Sequence, residues 1–251
     1  MIPEEFSRTA LLLGEPGVEK LQNSRVAVFG LGGVGSYVVE GLVRCGVGRL
    51  LLVDNDKVSR SNLNRQLIAT CHTLGRPKVE AARERILSIN PKAQVETHQI
   101  FYLPGEANGL INGCDYVVDA IDTVTAKLAL IEEAHALSIP ILSCMGTGNK
   151  LDPTRLQIAD LAETSVCPLC RVMRRELRRR GIRHVKVLYS TEEPVTRRMA
   201  DTEAPNSKGK PTGRHTPGSV SFVPSVAGLI IAGEVVKELS GIRSGKQSVT
   251  N

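Results

Sequence analysis

Val26-Ala27-Val28-Phe29, running straight into Gly30-Leu31-Gly32-Gly33-Val34-Gly35, is the stretch that decides the fold. Four apolar residues with no alternation read as a strand buried on both faces, and a helix is expected to begin near Ser36. Glycines between strand and helix let backbone N–H groups approach a phosphate, and the positive end of the helix dipole favours the anion there. A second apolar run, Arg49-Leu50-Leu51-Leu52-Val53, ends in Asp54, about twenty residues past the turn, where a carboxylate can accept hydrogen bonds from a ribose. Asp54 by itself would suit NAD.

The charges that follow suit a triphosphate better. Asp54-Asn55-Asp56 is succeeded by Asn62-Leu63-Asn64-Arg65-Gln66 and then by Gly75-Arg76-Pro77-Lys78. An Arg and a Lys placed soon after the ribose-binding strand would have no task beside a dinucleotide, whereas both match the charge of ATP.

These segments, together with Val118-Asp119-Ala120-Ile121-Asp122, resemble the adenylating domain of the ThiF/MoeB/HesA superfamily, relatives of the ubiquitin-activating enzymes, and the resemblance spans nearly the whole chain. It implies conversion of a carboxylate into an acyl-adenylate with ATP and Mg²⁺. Carried onto this sequence, Gly30, Gly32, Gly33 and Gly35 form the nucleotide turn. Asp54 meets the ribose, Asp56 is a further nucleotide-binding residue, and Asn62, Arg65, Gln66 and Lys78 surround the phosphates. Asp122 is the implied magnesium ligand, its plainer role being the N-cap of a helix starting near Thr123. Arg65, Lys78 and Asp122 are the implied catalytic groups, with Arg8. The last, by resemblance, reaches from one subunit of a homodimer into the ATP site of the other.

Further segments, among them Leu151-Asp152-Pro153-Thr154 and Tyr189-Ser190-Thr191-Glu192, are most similar to the branch that dehydrates N6-threonylcarbamoyladenosine in tRNA. A rival assignment within the superfamily activates the C-terminal carboxylate of a ubiquitin-like sulfur-carrier protein, and sulfur-transfer or redox partners are implied as companions.

Strands and helices alternate after a helix over residues 5–24. A helix over 78–90 stops before Pro91, and strands follow at 94–99 and 116–120, a helix at 125–137 and a strand at 140–144. That order predicts an α/β fold, a Rossmann-like, mostly parallel sheet with helices on both faces and its ligands at the strands' C-terminal ends. Beyond Leu151 short antiparallel strands are expected at 155–158, 185–190 and 219–223, a smaller mixed region for the substrate. A loop at 203–218, with three Pro and three Gly, is expected to be mobile. A last helix at 225–239 should cover the sheet or a second subunit, and a polar tail follows from Ser240. The whole of 1–251 reads as one adenylating domain, its nucleotide part at about 1–150 and its tRNA part at about 151–240.

The net charge of +6 is concentrated. Thirteen Lys and Arg against five Asp and Glu lie between Thr164 and His215, while the rest of the chain is slightly acidic. Arg171, Arg174, Arg175, Arg178, Arg179 and Arg183 are spaced to present overlapping faces of a helix expected at 172–180, a surface that can grip an RNA backbone. With no Trp, recognition by base stacking is limited. Six cysteines in a chain of this length do not form a disulfide scaffold, and with no secretory or membrane-spanning pattern the expected compartment is the cytoplasm. Cys167-Pro168-Leu169-Cys170 remains open between half of a zinc site, a nucleophile and two structural thiols.

Overall fold

The computed structural model describes residues 2–103, 105, 109–195 and 217–242. Seven strands form one sheet: β1 (Arg25–Phe29), β2 (Arg49–Val53), β3 (Gln94–His98), β4 (Tyr116–Asp119), β5 (Ile141–Cys144), β6 (Leu156–Asp160) and β7 (Lys186–Ser190), in the spatial order β3-β2-β1-β4-β5-β7-β6. Every pairing is parallel except β6 with β7. The chain starts at the middle of the sheet, builds toward β3, then returns past β1 to build the other half. The switch point therefore lies between β1 and β4, where the loops after these strands splay apart and leave room for a ligand.

Six helices cover the sheet: α1 (Ser7–Asn23), α2 (Gly35–Arg44), α3 (Lys78–Ile89), α4 (Val124–Ala136), α5 (Pro168–Arg179) and α6 (Phe222–Ser240). Side chains along a strand alternate between faces, and the core divides accordingly. Val26, Val28, Leu50 and Leu52 pack with α2, α3 and α6, whereas Ala27, Phe29, Leu51 and Val53 face α4. The central strands are apolar throughout because both faces are covered. On one face α2 and α6 cross closely, since a Cβ on Gly41 would stand 2.6 Å from Ala232 and one on Gly228 2.5 Å from the Val34 carbonyl oxygen.

Four expectations need correction. First, α1 is bent. Gly14 takes φ 71°, ψ 158°, and Pro16 opens the second segment, as a proline does best in a first helical turn. Second, β7 pairs in parallel with β5, so the region after residue 151 extends the main sheet, and only β6 runs antiparallel. Third, residues 219–223 form no strand. Helix α6 already begins at Phe222, with Pro224 in its first turn, where a missing N–H costs nothing. The helix expected at 172–180 likewise starts a turn earlier, at Pro168. Most of the loop expected to be mobile, 203–216, lies outside the described residues, as do 243–251 of the tail. Pro217 and Gly218 are described, and Asn149 holds this end firmly: its N–H donates to the Gly218 carbonyl at 2.8 Å and its Oδ1 accepts from Gly218 N–H at 2.7 Å.

Candidate active site

The glycine turn folds as it does because two of its glycines leave no alternative. Gly30 sits at φ 85°, and a Cβ there would stand 2.6 Å from the Ala120 carbonyl oxygen. A Cβ on Gly35 would lie 1.8 Å from the Gly30 carbonyl oxygen. Gly32 has open space, with its nearest neighbour 3.8 Å away. It lines the cavity onto which the turn opens. Among the described residues, the N–H groups of Gly32, Gly33 and Val34 bond no backbone carbonyl, so they stand free at the start of α2 for an anion.

The turn opens on a cavity of about 480 Å³ at the switch point. Asp54, at the end of β2, is buried, and its two oxygens accept from Leu31 N–H at 2.6 Å and Asp56 N–H at 2.8 Å. Burial pushes its carboxyl above the usual range, opposed by the Lys78 ammonium and by those two N–H donors. Lys78 is the first residue of α3, a position where the helix dipole disfavours a cation. Asp56 holds it there at 2.7 Å, with Asp54 at 3.9 Å, and only 6% of the Lys78 side chain is exposed. A buried ammonium between two carboxylates at the wrong end of a helix serves no packing purpose. It fits a group waiting for phosphate.

Arg65 lines the cavity with Nη1 donating to Ser61 O and Asn64 Oδ1, both at 2.9 Å. Asn62 also faces the cavity, but its Oδ1 accepts from Ser59 N–H at 3.0 Å and closes the short helical turn Arg60–Asn62, so part of its function is to shape the loop. Gln66 Oε1 is the buried side-chain oxygen left without a partner among the described residues. Asp122 stands past β4, exposed at the cavity wall, and among the described residues its one partner is the neighbouring Thr123 hydroxyl at 3.3 Å. The N-cap of α4 is Thr123, so the Asp122 carboxylate has no capping task.

The floor of this cavity is built by residues that no sequence motif singles out. Lys127, 1% exposed, donates to Asp119 Oδ2 at 3.0 Å and to the Cys144 carbonyl at 2.7 Å, and the Ser143 hydroxyl also bonds Asp119 Oδ2. Asp119 Oδ1 accepts from Ile121 N–H at 3.0 Å, which fixes the turn leading to Asp122. The sequence signal is a lysine inside the otherwise apolar run Ala126-Lys127-Leu128-Ala129-Leu130-Ile131 of α4 and an aspartate closing an apolar strand. Each alone reads as a surface charge. Ile100 and Phe101 add an apolar, partly exposed wall on the Asp54 side.

Arg8 lies exposed on α1 and outside this cavity. On α5, Cys170, Met173 and Leu177 are buried, while Arg171, Arg175, Arg178 and Arg179 are exposed, as is Arg183 just beyond. Glu176 engages Arg175, Arg179 and Arg180. Arg174 departs from the expectation. Its Nη1 turns back to donate to the Leu161 and Thr164 carbonyls at 3.0 and 2.7 Å and to the Thr164 hydroxyl at 2.9 Å, which fastens α5 to the segment before it. Cys167 is the N-cap of α5 and Cys170 lies one turn on, both buried. Among the described residues, no three His, Cys, Asp or Glu side chains converge as a metal site.

The model of the ThiF family matches residues 6–251. This chain belongs to the ThiF family. It is 46% identical over 239 residues, 94% of each chain, to tRNA threonylcarbamoyladenosine dehydratase of Bacillus subtilis. It also superposes on E. coli tRNA N6-threonylcarbamoyladenosine dehydratase in complex with AMP, with a TM-score of 0.84, 32% identity and 95% and 94% of the two chains covered. The same E. coli enzyme in complex with ATP superposes with a TM-score of 0.83 at 32% identity, covering 96% and 97%.

Proposed function

We propose that this ThiF-family protein is an ATP-dependent tRNA threonylcarbamoyladenosine dehydratase, which cyclises N6-threonylcarbamoyladenosine beside the anticodon and releases AMP and pyrophosphate. The observation that carries the reading is the cavity itself. Free N–H groups, Lys78 and Arg65 gather at one side and Asp122 at the other, in a chain similar over almost its whole length to dehydratases seen with ATP and AMP.

The chemistry follows from charge. A carboxylate is a poor electrophile, so the threonyl carboxylate attacks the α-phosphorus of ATP, pyrophosphate leaves and an acyl-adenylate forms. A nitrogen or oxygen of the carbamoyl group then attacks the activated carbon, closes the ring and expels AMP. Negative charge accumulates on the leaving pyrophosphate in the first step, and preorganised cations in a water-poor site lower that barrier. Lys78 exchanges Asp56 for phosphate, Arg65 swings from its loop partners to the phosphates, and Asp54 and Asp56 are left for the ribose. The exposed, almost unpartnered Asp122 carboxylate suits a hard cation, and Mg²⁺ held there would neutralise phosphate charge.

The nucleotide part spans about 1–150 and the tRNA part about 151–240. In the latter, Arg171, Arg175, Arg178, Arg179 and Arg183 contact the RNA backbone, while Arg174 builds the platform. The protein works as a homodimer in the cytoplasm. Arg8, exposed and outside its own cavity, enters the partner's site, and the exposed Leu11 and Leu12 on the same helix belong to the contact. In mixtures of Arg8→Ala and Lys78→Ala subunits, one site per heterodimer keeps both residues and regains activity. No recovery after verified subunit exchange would rule out the crossing arginine.

Pyrophosphate exchange tests the adenylation. Labelled pyrophosphate should enter ATP only when tRNA bearing threonylcarbamoyladenosine is present, and Lys78→Met should slow the exchange by about 100-fold. Exchange driven instead by a carrier protein's terminal carboxylate would reassign the substrate.

A further inference from the structure

The cavity at the switch point has walls from both halves of the sheet. Asp54 at the end of β2 and Lys78 at the start of α3 stand in one half, with β1 and the glycine turn between them and the other. Residues 145–148, which follow β5, line the cavity from the second half, and Pro217 and Ser219 complete that wall. A ribose drawn to Asp54 leaves the β5 wall for whatever reacts with the nucleotide. Helix α5 and its arginines connect β6 to β7 in this same half, so a polyanion held on them approaches the cavity from the β5 side.

Residues 217–224 bridge three loops of the cavity. Pro217 rests on Gly148, where a Cβ would stand 2.7 Å from the proline ring. Asn149 takes φ 56°, a left-handed conformation that asparagine tolerates. Besides its two bonds to Gly218, its carbonyl accepts from Val195 N–H at 2.8 Å, so one residue fastens the chain at both places. Ser219 is held from the opposite side, its carbonyl accepting from Asn64 Nδ2 at 3.0 Å. Pro224 then packs on the glycine turn, 3.1 Å from where a Cβ on Gly33 would lie. Asn64 does more than hold the bridge, because its Oδ1 accepts from Arg65 Nη1 at 2.9 Å. Exchanging the amide nitrogen and oxygen would face donor with donor and acceptor with acceptor, so only one orientation satisfies both neighbours. A single carboxamide thus joins the bridge to the cavity's arginine.

We infer that Asn149 and Asn64 are positioning residues which hold residues 217–219 as the wall that aligns the threonylcarbamoyl group, with Asn64 tying this wall to Arg65. Neither side chain touches the reacting atoms. A wall fixed at two points limits the directions in which the substrate carboxylate can point, and attack on the α-phosphorus depends steeply on that direction. The inference rests on the proposed function and adds to it the end of the cavity that receives the tRNA nucleoside.

Asn149→Gly keeps the left-handed backbone and its two backbone bonds and removes only the Oδ1 acceptor, whereas Asn149→Asp retains that acceptor. In cyclisation assays Asn149→Gly should lower kcat/KM for tRNA carrying threonylcarbamoyladenosine by about fivefold. Its affinity for ATP should match wild type, and the salt dependence of tRNA binding should not change, since no charge is removed. Asn149→Asp should restore the wild-type efficiency. Asn64, which is exposed, supplies a second pair of variants should Asn149→Gly fold poorly. Both Asn64→Asp and Asn64→Ala lose the donor to Ser219 and should lose efficiency with the tRNA. By calorimetry, Asn64→Asp should also bind ATP several-fold more weakly, because a carboxylate keeps the Arg65 guanidinium from the phosphates, while Asn64→Ala should not. Wild-type efficiency in Asn149→Gly, equal losses toward ATP and tRNA without rescue by Asn149→Asp, or equal ATP affinity of the two Asn64 variants would overturn the inference. The Asn64 comparison needs no tRNA, so it stands even if wild type fails to cyclise the nucleoside, a result that would count against the proposed function instead.

Discussion

Two regions of this protein concentrate positive charge and treat it in opposite ways. At the cavity, Lys78 and Lys127 are almost wholly enclosed and each is paired with a carboxylate, Asp56 at 2.7 Å and Asp119 at 3.0 Å. On and just after α5, Arg171, Arg178 and Arg183 stand in solvent with no ion pair among the described residues. An enclosed cation keeps its position and interacts strongly, because little water screens it. An exposed arginine contributes little to the fold, but it releases counterions when it meets a phosphate backbone. The first arrangement orients one reacting group. Under the proposed function, the second suits a large polyanion gripped by its outline. Arg174 belongs to the first kind although it sits on the second region's helix.

The contrast can be broken most severely at its buried end. Asp119→Ala would leave the Lys127 ammonium enclosed without its counter-charge, which should cost about 3–5 kcal/mol of folding stability in urea titrations. The double variant Asp119→Leu/Lys127→Met should recover most of that loss. A single variant as stable as wild type would mean that water reaches the pair.

Within α5 the contrast sharpens to neighbouring arginines. Arg174→Ala should cost about 2 kcal/mol of stability, since three acceptors lose a charged donor. Replacing Arg171, Arg178, Arg179 and Arg183 together by Glu should leave stability within about 1 kcal/mol of wild type. The same replacement should lower tRNA affinity at least about tenfold and flatten its dependence on salt, while ATP affinity holds. If Arg174→Ala gave the salt signature and the quadruple variant did not, the two roles would be exchanged.

The smallest effect concerns Glu40, enclosed by Arg85 and Arg44 at 2.7 Å each. Burial works to raise its carboxyl, but the hydrogen bonds from Arg85 and then Arg44 outweigh it, so the folded-state value falls below the ordinary one. The stability it contributes is present above the unfolded-state value and disappears as the pH falls through the folded-state one. Glu40→Gln should therefore cost about 1 kcal/mol near neutrality and almost nothing in strong acid, as read from thermal unfolding across that range.

Much of this architecture is legible in the sequence, for identifiable reasons. Apolar runs such as Val26–Phe29 and Leu50–Val53 name buried strands, and the glycines, Asp54 and Asp122 follow strand ends, so the place of the cavity is readable from spacing, while the parts of Lys78 and Asp122 in it come from the family resemblance. What escaped depended on partners distant in sequence. The pairing of β7 with β5 joins residues 142–144 to 186–188, and no local pattern reports it. Val220-Ser221-Phe222-Val223 has a strand's composition, yet the apolar stripe that continues to Val236 carries it into α6. Asp119 and Lys127 became visible as a pair only when β4 and α4 were brought together. Arg174 looked like its neighbours until the Leu161 and Thr164 carbonyls were seen beneath it.

The central claim, an activated carboxylate on a tRNA nucleoside, is tested most directly by the mass of that nucleoside. tRNA carrying threonylcarbamoyladenosine, incubated with the protein, ATP and Mg²⁺ and digested under mild conditions, should yield a modified adenosine lighter by one water, with AMP formed in equal amount. It should not do so without ATP or with Lys78→Met. An unchanged nucleoside, with AMP produced only when a carrier protein is supplied, would contradict the account.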